Sequence, residues 1–178
     1  MSLRELEYPF DAERIITGKK KIKKELLAQG SSFVDKKIAI LGGSTTSDIK
    51  LIMELFLLDQ GIRPAFYESE YNRFYQDAVF ENSELDDFAP DIIYIHTSNR
   101  NITEYPSLSD SAERVDELLR AEEDKFTSVW TSLKKKYGCP IIQNNFEYPF
   151  FRLMGNKDAS DIHGRVNFVT MLNCSFYD

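Results

Sequence analysis

The sequence predicts an α/β domain, a three-layer α/β/α sandwich with a central parallel sheet. Four short apolar runs are typical of buried strands, and segments with apolar residues at helical spacing separate them. Strands that alternate with helices favour a parallel sheet joined by crossovers. The chain has 178 residues, 42% of them hydrophobic, which is enough for one globular domain with a core. Ligands of such sheets bind at the carboxyl ends of the strands, so we expect any site there.

The first half of the chain predicts a helix followed by a strand–turn–helix–strand unit. Asp11 caps a helix over residues 12–28 that Gly30 ends, and the lysines from Lys19 to Lys24 lie on its solvated face. We treat residues 1–30 as an N-terminal helical extension and residues 31–178 as the domain proper. The unit that follows comprises a strand over 37–41, a helix over 48–60 and a strand over 63–68.

The second half predicts further alternating elements. They are a short helix over 73–80, a strand over 91–97, a long helix over 111–137, a strand over 139–144 and a last helix. The 91–97 run is apolar on both faces, which is typical of a strand covered on both sides. Ser160 and Asp161 resemble the cap of the last helix. Its apolar stripe runs into Asp178 without a stop signal, so we expect a fragment of a longer polypeptide.

Composition excludes several classes of protein. The net charge of −7 disfavours nucleic acid as a partner. No apolar run approaches the roughly 20 residues that span a bilayer, and the first ten residues lack the apolar core of a signal peptide. We therefore expect a cytoplasmic protein without a membrane partner. The two cysteines form no CxxC pair, and we expect no metal site.

Polar residues gather where strands are predicted to end. Gly43, Ser44 and Thr45 follow the first strand, and glycine there lets backbone amides point at an oxyanion beside a helix N-terminus. Helix capping by residues 44–47 is the alternative. The chain has two histidines. His96 closes the third strand and could bind a ligand at that edge. Asn99 follows it, where an amide could stabilise an oxyanion or simply form a turn.

His163 is the other candidate general base. We place it in the first turn of the last helix, close to Asp161, where the helix dipole would keep the imidazole neutral. An ordinary surface histidine is the alternative. The aromatic stretch over residues 146–151 could wall a pocket, dock a neighbouring domain or simply pack in the core.

These motifs together resemble the N-terminal domain of FkbH-like proteins. The resemblance rests on Gly43-Ser44-Thr45 after a strand, residues 88–91 before one, Asn99 after it, residues 144–146, and the closing run 163–168. It covers about residues 30–178. It implies an SGNH-hydrolase-like, flavodoxin-like fold placed ahead of a HAD-superfamily phosphatase domain. The family is associated with loading glyceryl units from a phosphorylated glycerate onto an acyl carrier protein.

The resemblance also implies roles for individual residues. Ser44 matches the nucleophile, Asn99 the oxyanion donor and His163 the base, with Asp161 as the nearby acid. The pattern departs where Gly43 replaces an aspartate and where Ser160 stands at the usual acid position. Magnesium is expected only for the phosphatase domain, whose Asp-x-Asp-x-Thr loop this chain lacks, so we expect no cofactor here.

The sequence leaves three functions open. The first is an accessory binding domain that serves a downstream HAD-type phosphatase domain, with an acyl carrier protein as a further partner. The second is an active Ser–His ester or thioester hydrolase or acyltransferase. The third is a structural or oligomerisation domain.

Overall fold

The computed structural model describes residues 3–28 and 32–177. The strands are β1 (Val34–Gly42), β2 (Ile62–Glu68), β3 (Ile92–His96) and β4 (Ile141–Gln143). The helices are α1 (Ala12–Ala28), α2 (Ser47–Asp59), α3 (Phe74–Val79), α4 (Ser83–Phe88), α5 (Ala112–Tyr137) and α6 (Arg165–Ser175), with short 3₁₀ turns at Arg4–Leu6, Asn99–Asn101 and Gly155–Ala159. Within these ranges, no helix combines the length and apolar character that crossing a membrane requires.

The strands form one parallel sheet in the order β2-β1-β3-β4. Helices flank the sheet, so the predicted α/β class with a central parallel sheet is confirmed. β1 lies between β2 and β3, and Gly42 pairs with His96 at the carboxyl ends of β1 and β3. The loops that leave these two strands therefore begin side by side.

Two apolar clusters stabilise the two sides of the domain. The larger one joins Ala39, Leu41, Ile93 and Ile95 of the sheet to α3, α5 and α6. The smaller one joins α1 to α2 through Ile15, Ile22, Leu26, Leu55 and Leu58, together with Leu6. α1, which we predicted as an extension, thus packs on the helix that follows β1.

The second face of β3 is more open than predicted. Ile93 and Ile95 are fully buried, whereas Tyr94 and His96, which alternate with them, are only half-buried. Ile142, the β4 partner of Tyr94, has 55% of its surface exposed. The expectation that β3 is covered on both sides was therefore wrong for this face.

The segment between β2 and β3 contains one more helix than predicted. The helix expected over 73–80 is α3, and α4 follows it after a short break. Asn82 caps α4, because its side-chain oxygen accepts a hydrogen bond from Leu85 N at 3.1 Å. α4 contains only two apolar residues, Leu85 and Phe88, which are too few to show a clear apolar period, so the pattern missed it. The predicted end of α1 at Gly30 lies outside the described residues.

The start of α6 differs from the prediction. Ser160 and Asp161 do not cap it, because the helix begins only at Arg165, with Gly164 as its cap residue. Gly164 has no side chain to cap the helix. The buried carboxylate of Asp158 satisfies the first turn instead, because it accepts a hydrogen bond from Val166 N at 2.8 Å. His163 therefore lies in the turn before α6. The helix ends at Ser175, with Phe176 as its C-cap residue.

We predict opposite effects for alanine at two glycines. A Cβ at position 164 would lie 1.9 Å from the Asp158 carbonyl oxygen, so Gly164→Ala must displace the backbone that caps α6. We expect a loss of about 1–3 kcal/mol, or more, in the free energy of unfolding. Gly18→Ala, inside α1, meets only Ile22 at 3.5 Å and should gain about 0.5–1 kcal/mol. Urea denaturation measures both, and equal stability of the two variants would contradict the account.

Candidate functional site

The candidate site lies where β1 and β3 end. The chain enters α2 after β1 and enters α5 after β3, and these two helices belong to different apolar clusters. Connections that leave neighbouring strands in opposite directions open a crevice between them, which is where doubly wound sheets bind ligands. Gly43 N donates a hydrogen bond to His96 O at 2.7 Å, so the expectation that this amide points at an oxyanion was wrong.

Asn101 fixes the turn after β1. Its side-chain amide donates to Gly43 O at 2.8 Å and to Asn72 Oδ1 at 3.0 Å, while its own oxygen accepts from Ser98 N at 2.8 Å. A Cβ at Gly43 would lie 2.4 Å from Asn101 Oδ1. Only glycine therefore fits at position 43 while Asn101 keeps this place. The aspartate that the family pattern carries there has no room.

Ser44 is half-buried at the mouth of the crevice. Its hydroxyl makes no hydrogen bond with any protein group among residues 3–28 and 32–177. The neighbouring Thr46 precedes α2, but its hydroxyl is not a cap, because it donates to Glu68 Oε1 at 2.7 Å. The alternative that residues 44–47 cap α2 is therefore not supported at Thr46, because its side chain makes no cap hydrogen bond. Thr45 is exposed beside Ser44.

Glu68, at the end of β2, anchors the start of α2. Besides Thr46, the Lys50 ammonium group donates to its carboxylate. Burial by itself raises the pKa of Glu68, but the hydrogen bonds from Lys50 and Thr46 outweigh it, so the pKa lies below its ordinary value. The carboxylate is thus ionised at neutral pH. Our prediction missed Glu68, although its place at a strand end is a signal that could have found it.

His96 lies on the open face of the sheet next to Tyr94. Its Nδ1 is 3.3 Å from the Tyr94 hydroxyl. Burial lowers the pKa of His96, and the opposing effects of Glu147 and Asn144 are smaller. Burial also raises the pKa of Tyr94, so that hydroxyl is protonated and can donate to the ring. His96 is therefore a neutral imidazole at the crevice floor at neutral pH.

His163 is bonded through both ring nitrogens. Nδ1 lies 2.8 Å from Asp161 Oδ1, and Nε2 lies 3.0 Å from the Asp110 carbonyl oxygen. The Asp110 contact and then the Asp161 contact raise the pKa of His163, because two acceptors favour the doubly protonated ring. The expectation that a helix dipole keeps this ring neutral was wrong, because His163 precedes the helix and faces two acceptors.

Asn99 is directed away from the β1 turn. Its side-chain amide donates to Glu147 Oε1 at 3.0 Å and to Glu147 O at 3.3 Å, and its backbone N donates to Glu147 Oε2. These bonds tie the loop after β3 to the loop after β4. Asn101, two residues later, is the asparagine that contacts Gly43. Nothing in the sequence distinguishes the two asparagines, because both lie in one loop.

The structure thus brings together only some of the site residues that we predicted. Gly43, Ser44 and His96 lie at the ends of β1 and β3, and Asp161 pairs with His163. Among the described residues, no hydrogen bond joins Ser44 to His163 or to Asn99. The same part of the chain contains no group of three or more His, Cys, Asp or Glu side chains placed to hold a metal ion.

The aromatic stretch after β4 divides between two environments. Phe146 is buried and packs against Phe126 and Phe176. Phe150 and Phe151 are 91% and 74% exposed. Core packing therefore accounts for the first of these rings but not for the other two.

We predict that the two histidines titrate on opposite sides of their ordinary pKa of about 6.5. His96 should titrate below this value and His163 above it. The His163 contacts contribute their full free energy of folding below about pH 6.5, and this contribution is lost as pH rises through the raised pKa. His96 behaves in the opposite way. The free energy of folding gained by keeping His96 neutral is lost as pH falls through its lowered pKa. Imidazole proton resonances measure both values, and Asp161→Asn should lower only the pKa of His163. A pKa of His163 below that of His96 would contradict this geometry.

Comparison with known proteins gives one informative result. No family model matches the chain, and no curated protein matches it. A solved structure does: the N-terminal part of a Bacteroides fragilis protein containing a phosphatase domain, complexed with Mg. The TM-score is 0.69 at 18% identity, and the match covers 89% of this chain and 40% of that one. The chain thus spans less than half the length of that protein, and its fold resembles part of a protein that contains a phosphatase domain.

Proposed function

We propose that this chain is an accessory binding domain of an FkbH-like protein. In this proposal it serves a HAD-type phosphatase domain that follows in the same polypeptide. Its crevice between β1 and β3 holds the acyl or glyceryl group that an acyl carrier protein presents. Ser44 and Thr45 contact that group, and His96 lies at the neighbouring strand end, whereas the N–H and C=O groups of Gly43 are both bonded within the protein.

One observation carries the proposal. The Ser44 hydroxyl has no acid–base partner among the described residues, while both ring nitrogens of His163 are bonded elsewhere. A serine hydrolase needs an imidazole nitrogen that can take the serine proton. A binding site needs only hydroxyl and amide groups that are free to meet a ligand. The arrangement therefore favours binding over hydrolysis.

The surroundings of Ser44 support a ligand site. A polar cavity of about 330 Å³ lies at the end of β2, and Glu68 and Arg73 are among its lining residues. Glu68, which lines this cavity, accepts a hydrogen bond from Thr46, two residues from Ser44. Sites for small groups are usually concave, and this cavity is the concave feature linked by a hydrogen bond to the segment that carries Ser44.

Two similarities support the proposal that a phosphatase domain accompanies this domain. The motifs around Ser44, Asn99 and His163 resemble FkbH-like proteins, and the fold resembles part of a protein that contains a phosphatase domain. Magnesium would belong to that second domain. The described residues offer no matching group of carboxylates or histidines in this one.

A second candidate, an ester or thioester hydrolase, is favoured by the Asp161–His163 contact. A carboxylate 2.8 Å from Nδ1 is the acid–imidazole half of a catalytic triad. In that case His163 would have to leave the Asp110 carbonyl and reach Ser44, with Asn99 or the amides of Ser44 and Thr45 stabilising the oxyanion.

The binding proposal predicts a defined response to an acyl carrier protein. On titration with the acylated carrier, backbone amide resonances of residues 42–45 and 97–101 should shift. Ser44→Ala should weaken binding about 2–10-fold, the effect of one lost hydrogen bond. Ser47→Ala, at an exposed position on α2, is the matched control and should not change the affinity. Absence of any shift in these residues would overturn the proposal.

A hydrolysis assay separates the two candidates. We expect no turnover of a chromogenic short-chain ester above the buffer rate, by the wild type or by Ser44→Ala. Turnover that both Ser44→Ala and His163→Ala abolish would establish the hydrolase instead.

A further inference from the structure

A largely apolar groove lies between α1 and α2. Its volume is about 480 Å³. The lining is almost wholly apolar, and the side chains that form it are Ile16, Lys19, Asp48, Ile49, Leu51, Ile52 and Met53. Ile16, on its α1 side, has 55% of its surface exposed. This α1–α2 groove belongs to neither the crevice nor the cavity described above.

A ridge of lysines runs along α1 beside this groove. The ridge comprises Lys19, Lys20, Lys23 and Lys24, which share one helix face with Ile16 because they recur at three- and four-residue spacing. Lys23 pairs with Glu54, whereas Lys20 and Lys24 have no carboxylate within ion-pair distance in the described part of the chain. The whole chain carries a net charge of −7, so this ridge has the opposite sign to the net charge of the protein.

The combination specifies the chemistry of an occupant. An apolar floor between two helices accepts the apolar side chains of a third helix, and the lysine ridge complements acidic residues that flank those side chains. Nucleic acid would use the lysines but not the apolar floor. A membrane surface contacts apolar groups that protrude, whereas most of these lie recessed between two helices.

The groove opens close to the candidate site. Asp48 lines the groove and lies in the first turn of α2, four residues after Ser44. Four residues span at most about 14 Å, so a partner bound in the groove could present a tethered group to the crevice.

We propose that the α1–α2 groove docks an acidic amphipathic helix of a partner protein, with the lysines of α1 pairing with its carboxylates. The inference goes beyond the binding role proposed above and does not require that the crevice hold a ligand.

The test uses a labelled helical peptide of about 18 residues, or five turns, with leucines at i, i+3, i+4 and i+7 and glutamates elsewhere. Fluorescence anisotropy with the full chain should show saturable binding that weakens as sodium chloride rises from about 0.05 M to about 0.5 M. The double variant Lys20→Glu, Lys24→Glu should bind about tenfold more weakly, since two attractive pairs become repulsive. Ile16→Ser should weaken binding by a similar factor through lost apolar contact.

Matched variants elsewhere complete the experiment. Lys135→Glu on α5 and Leu108→Ser, both at exposed positions, should leave the affinity unchanged. Circular dichroism should show native helix content in every variant. Ser44→Ala should also bind the peptide normally, which separates this surface from the crevice.

Several results would overturn the inference. One is absence of saturable peptide binding by the wild-type chain, and another is equal affinity for a peptide with lysine at every glutamate position. Tighter binding of dodecanoate than of the peptide would reassign the groove to an apolar ligand. Binding to phosphatidylglycerol vesicles that the Lys20, Lys24 variant loses would reassign it to membranes. Sedimentation showing a dimer that Ile16→Ser dissociates would reassign it to a second copy.

Discussion

The contact between Asn101 and Gly43 determines the shape of the site. The Asn101 side chain occupies the space in which any Cβ at position 43 would lie, and it joins the turn after β1 to the loop after β3. The Lys125 ammonium group holds Asn101 in turn, because it donates to the backbone carbonyl oxygen of Asn101 at 2.7 Å. A half-buried side-chain amide with all of its groups satisfied is held in place, because displacement breaks several hydrogen bonds at once. The crevice is therefore held open by a small polar network beside the sheet.

Much of the fold was predictable because it depends on local patterns. Apolar spacing located α2 and α5 to within one or two residues, and glycine and capping signals located most helix ends. β4 was predicted too long, and α4 was missed, because short elements carry little periodic signal. The cap of α6 was misassigned because its true partner, Asp158, acts from eight residues away.

The candidate site was less predictable because it depends on contacts between distant segments. The sequence placed Gly43, Ser44, His96 and Asn99 at the ends of strands, which any parallel sheet would bring to one edge. It could not indicate that Asn99 pairs with Glu147, or that the second nitrogen of His163 faces Asp110, since these partners are about fifty residues away. Charge and tautomer follow from such contacts, so the protonation state of His163 could be assigned only in the folded molecule.

The two apolar clusters also affect how the unfolding of this domain can be observed. The single tryptophan, Trp130, packs against Phe176 and donates to Gln143 at 2.7 Å, so its surroundings belong wholly to the larger cluster. Its emission is an intrinsic reporter for α5 and α6. Detachment of α1 from α2 would leave that fluorophore undisturbed, and only a dye attached to α1 itself would make such fraying visible.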